Sequence, residues 1–218
     1  MPEYPYSIVP LGGQDRSTFT CGNEALNAYL LTQAGQDMKR RVAACFLAMD
    51  AATGAIAGYY TLSACHVQLT DVSPDWQKKL PRYPVVPSAQ LGRLAIDVKY
   101  QGKKLGAALL ANAVARAIRS DIAAHMMVVE AKTDSAAAFY MHHGFRRDPH
   151  DPPRLYAPLP TLSRALALEL RVAVSRGQAD PTPPRHRAGP TISALSPMTA
   201  PAPPRRGPTA DRPRHGFR

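Results

Sequence analysis

Cysteine is scarce in this chain of 218 residues, and its three cysteines form no recognisable pattern. Cys21, Cys45 and Cys65 stand apart, in no CxxC pair and in no spacing that metal ligands use. An odd, scattered set of this kind argues against a disulfide framework and against a cysteine-rich zinc site. We therefore expect no metal, and a reducing compartment, the cytoplasm.

Long apolar runs are missing as well. No uninterrupted apolar stretch approaches the roughly 18 residues of a transmembrane helix. The N-terminal segment MPEYPYSIVPLGG contains an early Glu and several prolines, and it lacks the apolar core of a signal peptide. These absences predict that the chain neither enters nor binds a membrane.

Acidic residues are in deficit, and the deficit is uneven. The chain carries a net charge of +11. Residues 171–218 contain nine Arg and two Asp and so account for +7 of this charge. The end of the chain is dense in Pro, Arg, Ala and Thr, a composition that cannot bury enough apolar surface to fold. We predict an ordered domain over 1–172 and a disordered basic tail over 173–218. The tail is either an arm on nucleic acid or an appendage without a role in the chemistry.

Strand-like and helix-like segments alternate over the first 170 residues, a pattern typical of an α/β, or α+β layered, fold. Strands are predicted over 5–9, 42–49, 56–65, 90–98, 126–131 and 155–159, and helices over 21–31, 72–80, 104–119, 134–143 and 163–174. A proline-rich loop, PRYPVVP, precedes the fourth strand. Thr133 or Asp134 can cap the fourth helix, and Gly144 can end it.

The fourth strand changes phase along its length. Leu91 occupies an odd position, whereas Leu94 and Ile96 occupy even ones. A slip of one residue beside Gly92 is the sequence signature of a β-bulge, a feature common beside active sites. Without such a site, the simpler interpretation is that Arg93 faces solvent on an edge strand.

A loop with the sequence YQGKKLG, residues 100–106, joins this strand to the next helix. The order strand, loop, helix places backbone N–H groups at the positive end of a helix dipole, where phosphate binds well. The loop matches neither GxxxxGK[ST] nor a dinucleotide GxGxxG motif. Taken alone, it is a weak indication of a phosphate site.

A second motif, AKTDSAAAFYMHHGF over 131–145, follows one strand later. Together with LGRLAIDVKYQGKKLG it resembles the GNAT family of N-acetyltransferases. The segments TFTCGNEALNAYL, GYYTLSA and LPRYPVVPSAQLGRLAID are more closely similar to the acetyltransferase toxins of bacterial toxin–antitoxin pairs. This resemblance covers about residues 4–160 and leaves the tail without a counterpart.

The resemblance implies the GNAT fold, a central mixed and mostly antiparallel sheet flanked by helices, with a splayed strand pair that binds acetyl-CoA. The positions that match cofactor-binding ones are Leu94, Ala95, Ile96, Gln101, Gly102, Lys103, Lys104, Leu105, Gly106, Asp134 and Phe139. Lys104 departs from the family pattern, because a glycine is expected there. Its ammonium either adds attraction for the phosphates, or its side chain shifts the loop and weakens binding.

Tyr140 matches the family's general acid. A phenol with an ordinary pKa near ~10 is protonated at neutral pH and can donate to a CoA thiolate. The alternative for Tyr140 is a core aromatic beside Phe139. No strong base is required for an α-amine with a pKa of ~7.7–8.0, and Glu130 and His66 are candidates for a proton relay through water. His142 and His143 are interpreted as surface residues and not as metal ligands.

For substrate, the resemblance implies the α-amino group of aminoacyl-tRNA, whose acetylation blocks translation. Basic residues that could border an acceptor stem are Arg40, Arg41, Lys78, Lys79, Arg82 and Arg93. Tyr83 and Trp76 could stack on a terminal base, although core packing is the other interpretation of Trp76. Each basic group could equally be an ordinary solvated surface.

The resemblance also implies a partner, a ribbon-helix-helix antitoxin that binds operator DNA for the pair, since no DNA-reading motif is present in this chain. A homodimer is a further possibility. Two other functions stay open at this point. One is an ordinary N-acetyltransferase for a small amine or a protein N-terminus, and the other is an inactive module that only binds CoA or a partner.

Overall fold

A computed structural model describes residues 5–80, 82–148, 150–151 and 153–175. Most of the predicted tail therefore lies outside the described residues. Seven strands form one sheet in the order β1-β2-β3-β4-β5-β7-β6. Their bounds are β1 Tyr6–Pro10, β2 Ala44–Asp50, β3 Ile56–Gln68, β4 Val85–Ile96, β5 Met126–Glu130, β6 Arg146–Arg147 and β7 Arg154–Pro158. Only β4 and β5 pair in parallel among them, so the sheet is mixed and mostly antiparallel, as predicted.

Six α-helices flank the sheet within the described ranges. They are α1 Glu24–Ala28, α2 Ala34–Lys39, α3 Pro74–Gln77, α4 Leu105–Arg119, α5 Asp134–His142 and α6 Leu159–Ser175. A π-helical segment, Tyr29–Gln33, joins α1 to α2, and Arg16 donates to the carbonyl of Leu30 inside it at 3.1 Å. No helix among the described residues is long and apolar enough to cross a membrane.

The two faces of the sheet carry separate cores. Alternation along the strands sends Tyr60, Leu91 and Val129 to one face, where they pack with apolar residues of α4, α5 and α6. Tyr59 points to the opposite face, where it packs beside the π-helical segment. A third cluster, which includes Val86 and Val128, continues that second face toward α3. The layered α/β class is thereby confirmed.

Several predicted boundaries are wrong. The first helix begins at Glu24, because Asn23 accepts a hydrogen bond from the Leu26 N–H as its N-cap, and the helical path continues to Lys39. The helix predicted over 72–80 is a single turn, Pro74–Gln77, preceded by a 3-10 turn. The last helix starts at Leu159 instead of 163, directly after β7. The two-residue strand β6 has no sequence signal.

The proline-rich loop before β4 was also predicted wrongly, because β4 already begins at Val85. Pro87 lies inside this strand opposite His66 of β3. Its missing N–H removes no bond to β5, since the parallel ladder starts one residue later, at Ser88. By contrast, Thr133 caps α5 by accepting from the Ala136 N–H, and Gly144 ends it with φ 95°, both as predicted.

Candidate active site

The predicted bulge is present in β4. Thr61 of β3 lies opposite Arg93, whereas the next residue, Leu62, lies opposite Leu91, so Gly92 is the extra residue. The bulge reverses the alternation, and Leu94 and Ile96 therefore pack on the same core as Leu91. Ala95 and the side chain of Arg93 face the other side of the sheet.

The bulge coincides with a fork between two strands. β4 pairs with β5 only over Ser88–Leu91, opposite Met126–Val129. Beyond Leu91, β4 keeps its partner β3 and pairs with no strand of the described residues on its other edge. We call this opening the strand fork. Backbone groups on the free edge of residues 92–96 are available to a ligand that enters the fork.

The side opposite the free edge is packed tightly. A Cβ built on Gly58 of β3 would lie 2.9 Å from the carbonyl oxygen of Ala95 and 2.9 Å from Cδ1 of Ile96. Only glycine permits this approach of β3 to β4 at the fork. Gly58 is a site-shaping residue that the sequence analysis missed, and its position in the GYYTLSA strand is the signal that could have indicated it.

The loop after β4 presents unpaired backbone donors at the start of α4. The first four N–H groups of a helix have no partner inside it, and here they include those of Leu105 and Gly106. Unsatisfied N–H groups at a helix N-terminus, reinforced by the helix dipole, form an anion site. The Leu105 side chain is buried in the core, so only its backbone can serve a ligand.

Lys104 adopts the backbone conformation that a glycine would take. Its φ is 60° and its ψ is 11°, in the left-handed region, at the N-cap of α4. Lys104 thus places a side chain in a backbone conformation that glycine adopts far more readily. A non-glycine residue in this region costs about 1–2 kcal/mol.

The side-chain amide of Gln101 connects the loop to the end of β4 and to the segment before α1. Its Nε2 donates to the carbonyl of Ile96 at 3.0 Å and to that of Cys21 at 3.1 Å. Cys21 is in turn fixed by Asn27, whose Oδ1 accepts from the Cys21 N–H at 2.9 Å. The Gln101 side chain therefore positions the loop, which leaves its backbone as the part that can approach a phosphate.

Two further residues anchor the same loop and were not predicted. Asp97 is buried, and its carboxylate accepts from the N–H groups of Lys99 and Thr20, each at 3.0 Å. The Tyr100 hydroxyl donates to Asp50 at 2.7 Å. The Lys103 ammonium lies 5.2 Å from the centre of the Tyr100 ring. The loop is thereby tied to the turn between β2 and β3.

Tyr140 lies on α5 against the core of the first face, with 7% of its surface exposed. Burial raises the pKa of its phenol to about 12. Its hydroxyl has no hydrogen-bond partner within the described residues. It is also not fully shielded from solvent, because Ser73 Oγ is the only side-chain oxygen or nitrogen of these residues that is both fully shielded and without a partner. The group is a protonated phenol with a free donor.

Phe139 joins α5 to the loop. Its ring centre is 5.2 Å from that of Tyr140, and a Cβ on Gly106 would lie 3.6 Å from the Phe139 ring. Asp134 is exposed at the start of α5, and its carboxylate is 3.8 Å from Arg147. His143 is buried, not at the surface as expected, because its ring packs edge-on against Phe139 at 4.7 Å. His142 is exposed.

The two relay candidates lie at the surface. Glu130 ends β5 and is paired with Lys132 at 2.9 Å. The His66 side chain is exposed on β3, and its backbone carbonyl accepts from Arg154 at 3.1 Å. Among the described residues, no group of three potential metal ligands comes together.

Arg93 packs across the bulge onto the π-helical segment. Its guanidinium carbon is 3.5 Å from the centre of the Tyr29 ring, and the Tyr29 hydroxyl donates to Asp37 at 2.9 Å. Arg93 is half-buried, which excludes the simple solvent-facing interpretation. The other predicted RNA-binding residues are exposed: Arg40, Arg41, Lys78, Lys79 and Arg82.

The aromatic residues proposed for base stacking differ in exposure. Tyr83 is 67% exposed. Trp76 is half-buried, with Arg146 stacked on its ring at 4.5 Å and Tyr156 edge-on at 5.7 Å. Packing is therefore the role of Trp76.

A strand fork in a mixed sheet, with a loop of unpaired N–H groups at its end, is the arrangement of an acetyl-CoA-dependent acyltransferase. The model of the acetyltransferase (GNAT) domain family matches residues 41–147. The tRNA-acetylating toxin of Mycobacterium tuberculosis is 32% identical over 140 residues, 63% of this chain and 82% of that protein.

Two solved structures extend the similarity. AtaT complexed with acetyl-methionyl-tRNAfMet is 30% identical with a TM-score of 0.65, covering 77% of this chain and 99% of that one. A tyrosine-to-phenylalanine mutant of AtaT, bound to the C-terminus of the antitoxin AtaR and acetyl-CoA, is 26% identical with a TM-score of 0.59, covering 76% and 98%. The chain therefore belongs to the GNAT acetyltransferases and, within them, to the acetyltransferase toxins.

Proposed function

We propose that this protein is a toxin that transfers acetyl from acetyl-CoA to the α-amino group of an aminoacyl-tRNA and so blocks translation. The observation that carries the proposal is the strand fork, which opens beside the unpaired N–H groups of the loop and in a chain related to tRNA-acetylating toxins. An acetyl donor in the fork and an acceptor at its mouth would meet at the bulge.

The residues present fit acetyl-CoA. The N–H groups of Gly102, Lys103, Leu105 and Gly106 suit a pyrophosphate, and the lysine side chains of the loop add positive charge. The free edge of Leu94, Ala95 and Ile96 suits an amide-bearing arm, because such an arm can pair with backbone as a strand does. Phe139 supports this site by packing on Gly106.

The transfer requires one new bond and one proton donor. The acceptor nitrogen bonds to the thioester carbonyl carbon, the C–S bond breaks, and the thiolate leaves. Tyr140 protonates this thiolate, the nitrogen releases its extra proton to water, and the Tyr140 phenolate takes a proton back from water. Because burial holds the pKa of Tyr140 near about 12, the acid stays protonated throughout the neutral and moderately basic range. We expect activity to rise with pH as the acceptor amine deprotonates.

For the acceptor, we propose that Arg40, Arg41, Lys78, Lys79 and Arg82 contact phosphates, and that Tyr83 stacks on a base. These groups are exposed, and the chain as a whole carries +11. Arg93 differs, since it is held on Tyr29 beside the bulge and would act at the reacting end of the acceptor.

We further propose that a ribbon-helix-helix antitoxin neutralises the protein and carries it to operator DNA, and that the toxin acts in the cytoplasm. The complex of AtaT with the C-terminus of AtaR supports an antitoxin partner. Co-expression of a short reading frame beside the toxin gene should restore growth. Growth arrest that no neighbouring reading frame relieves would contradict this partner.

The experiment that tests the activity is transfer of labelled acetyl from acetyl-CoA to total aminoacylated tRNA. Tyr140→Phe should lower the rate by about 10²–10⁴-fold, the typical contribution of a general acid, and should keep acetyl-CoA binding. Tyr156→Phe is the matched control, because its buried hydroxyl donates to the Asp71 carbonyl outside the site.

Three results would be decisive. Label on tRNA that depends on Tyr140 supports the proposal. Label only on small amines or protein N-termini would make the chain an ordinary N-acetyltransferase, and absence of any turnover would make it an inactive module.

A further inference from the structure

A cavity of about 200 Å³ lies next to the strand fork. It is lined by Cys65, Gln90, Val128, Glu130, Asp151 and Arg154. Neighbouring strands supply most of this lining, because β3, β4, β5 and β7 run side by side in the sheet. We call it the acceptor cavity.

The acceptor cavity and Tyr140 lie on opposite faces of the sheet. Gln90 pairs with Val128, directly before the last pair of the ladder, Leu91 with Val129. Leu91 and Val129 pack on the core that contains Tyr140, so Gln90 and Val128 project to the other face. A thioester in the fork would thus have the acid on one side and this cavity on the other.

The lining is polar. Gln90 supplies an amide that donates and accepts, and Glu130 and Asp151 supply carboxylates. The Arg154 guanidinium is already held, 4.0 Å from the buried carboxylate of Asp148 and 3.1 Å from the His66 carbonyl. Val128 is the one aliphatic residue among the six. A large apolar side chain in this cavity would leave the half-buried Gln90 amide without a hydrogen-bond partner.

An ammonium group already sits at the mouth. Lys132 Nζ lies 2.9 Å from Glu130 Oε2, and the Glu130 hydrogen bond, the Glu130 charge and the Asp151 charge together raise the pKa of Lys132. The carboxylates at this edge are therefore placed to accept hydrogen bonds from a charged donor.

We propose that the acceptor cavity receives the amino-acid side chain of the aminoacyl group and selects polar side chains over large apolar ones. This inference rests on the proposed function, because it assumes that an aminoacyl ester is the acceptor. A site lined by hydrogen-bonding groups discriminates strongly against an analogue that lacks the matching groups. Selection among amino-acid side chains thus takes place on the face of the sheet opposite Tyr140.

The test compares acetylation of individually charged tRNAs by the full-length protein. Wild type should show a kcat/KM at least about tenfold higher for tRNAs charged with asparagine, glutamine, serine or threonine than for those charged with leucine or phenylalanine. Gln90→Met keeps the volume and removes the amide, so it should lower this ratio by about tenfold. Gln68→Met, at the exposed end of β3, is the matched control and should leave the ratio unchanged.

Glu130→Met offers a second variant at an exposed position, in case Gln90→Met fails to fold. It removes a hydrogen-bonding group from the lining and should also reduce the preference, with Glu24→Met at another exposed position as its control. A wild-type preference for leucine or phenylalanine, or a ratio unchanged in both cavity variants, would overturn the inference while leaving tRNA acetylation established. Failure of wild type to acetylate any charged tRNA would overturn both this inference and the proposed function.

Discussion

At the scale of single residues, Lys104 is a lysine in a position built for glycine. Its left-handed φ of 60° costs about 1–2 kcal/mol, whereas glycine adopts this region freely and loses about 0.5–1 kcal/mol to its larger unfolded-state entropy. We expect Lys104→Gly to raise the free energy of unfolding by up to about 1 kcal/mol. Chemical denaturation measures this.

The same substitution distinguishes the effect of the Lys104 backbone strain on stability from the effect of its charge on acetyl-CoA binding. If the ammonium attracts the pyrophosphate, Lys104→Gly raises the Kd for acetyl-CoA a few-fold at low salt although the fold is more stable. Lys103→Gly is the control, because its φ is not in the left-handed region and glycine should only destabilise it. Equal destabilisation by both substitutions would contradict the strain argument.

Sequence reasoning succeeded at single residues wherever the signal is local. The phase change from Leu91 to Leu94 indicated the bulge at Gly92, and the cap at Thr133 and the stop at Gly144 follow from neighbours within one turn. It failed for His143, whose burial depends on how the end of α5 packs on Phe139.

Contacts between distant parts of the chain were also out of reach. Arg93 meets Tyr29 only because the bulge turns its side chain to the face of the π-helical segment. Gln101 reaches the Cys21 carbonyl across 80 positions of sequence. No periodicity or motif encodes such pairs, so the roles of Arg93 and Gln101 needed the folded sheet.

At the scale of elements, the loop before α4 is held by a latch between Tyr100 and Asp50. The Tyr100 hydroxyl donates to Asp50 at 2.7 Å, and Tyr6 packs edge-on against the Tyr100 ring at 5.9 Å. The latch fixes the loop to the turn between β2 and β3, and it carries the ring over which Lys103 lies. The loop is thus preorganised for an anion before one binds.

We expect Tyr100→Phe to raise KM for acetyl-CoA by about three- to tenfold and to leave kcat unchanged. Without this hydrogen bond, worth about 1 kcal/mol, the loop must be ordered when acetyl-CoA binds, whereas the chemical step is untouched. Steady-state kinetics at saturating tRNA measures both constants. Asp50→Asn retains an acceptor and should have a smaller effect. A fall in kcat with unchanged KM would place Tyr100 in the chemical step instead.

Buried phenols make the whole molecule sensitive to alkali. Burial raises the pKa of Tyr59 and of Tyr60 well above the ordinary value and that of Tyr140 to about 12. Above the unfolded pKa near ~10, the unfolded chain loses these protons while the folded chain keeps them. The free energy of unfolding should therefore fall by about 1.4 kcal/mol per pH unit for each phenol.

Urea denaturation at pH 9, 10 and 11 measures this slope. Below pH 9 these three groups are protonated in both states and should contribute no pH dependence. Tyr60→Phe removes one phenol, together with its hydrogen bond to Asn112 at 2.6 Å, and should make the slope shallower by up to about 1.4 kcal/mol per pH unit. An unchanged slope in this variant would show that other groups cause the alkaline transition.

Charge is the other property of the whole molecule that bears on function. With +11 overall, binding of tRNA should be dominated by phosphate contacts, whose affinity falls steeply as counterions compete. We expect kcat/KM for charged tRNA to fall by about tenfold or more between 50 and 200 mM salt. Acetyl transfer to a small amine that carries no phosphate should change far less under the same conditions.

Exchanging Lys78 and Lys79 for Gln should reduce the dependence of kcat/KM for tRNA on salt concentration, because two of the proposed phosphate contacts are lost. A rate on charged tRNA that is independent of salt would argue against RNA as the acceptor, and it would leave the small-amine acetyltransferase as the function of the same fork and acid.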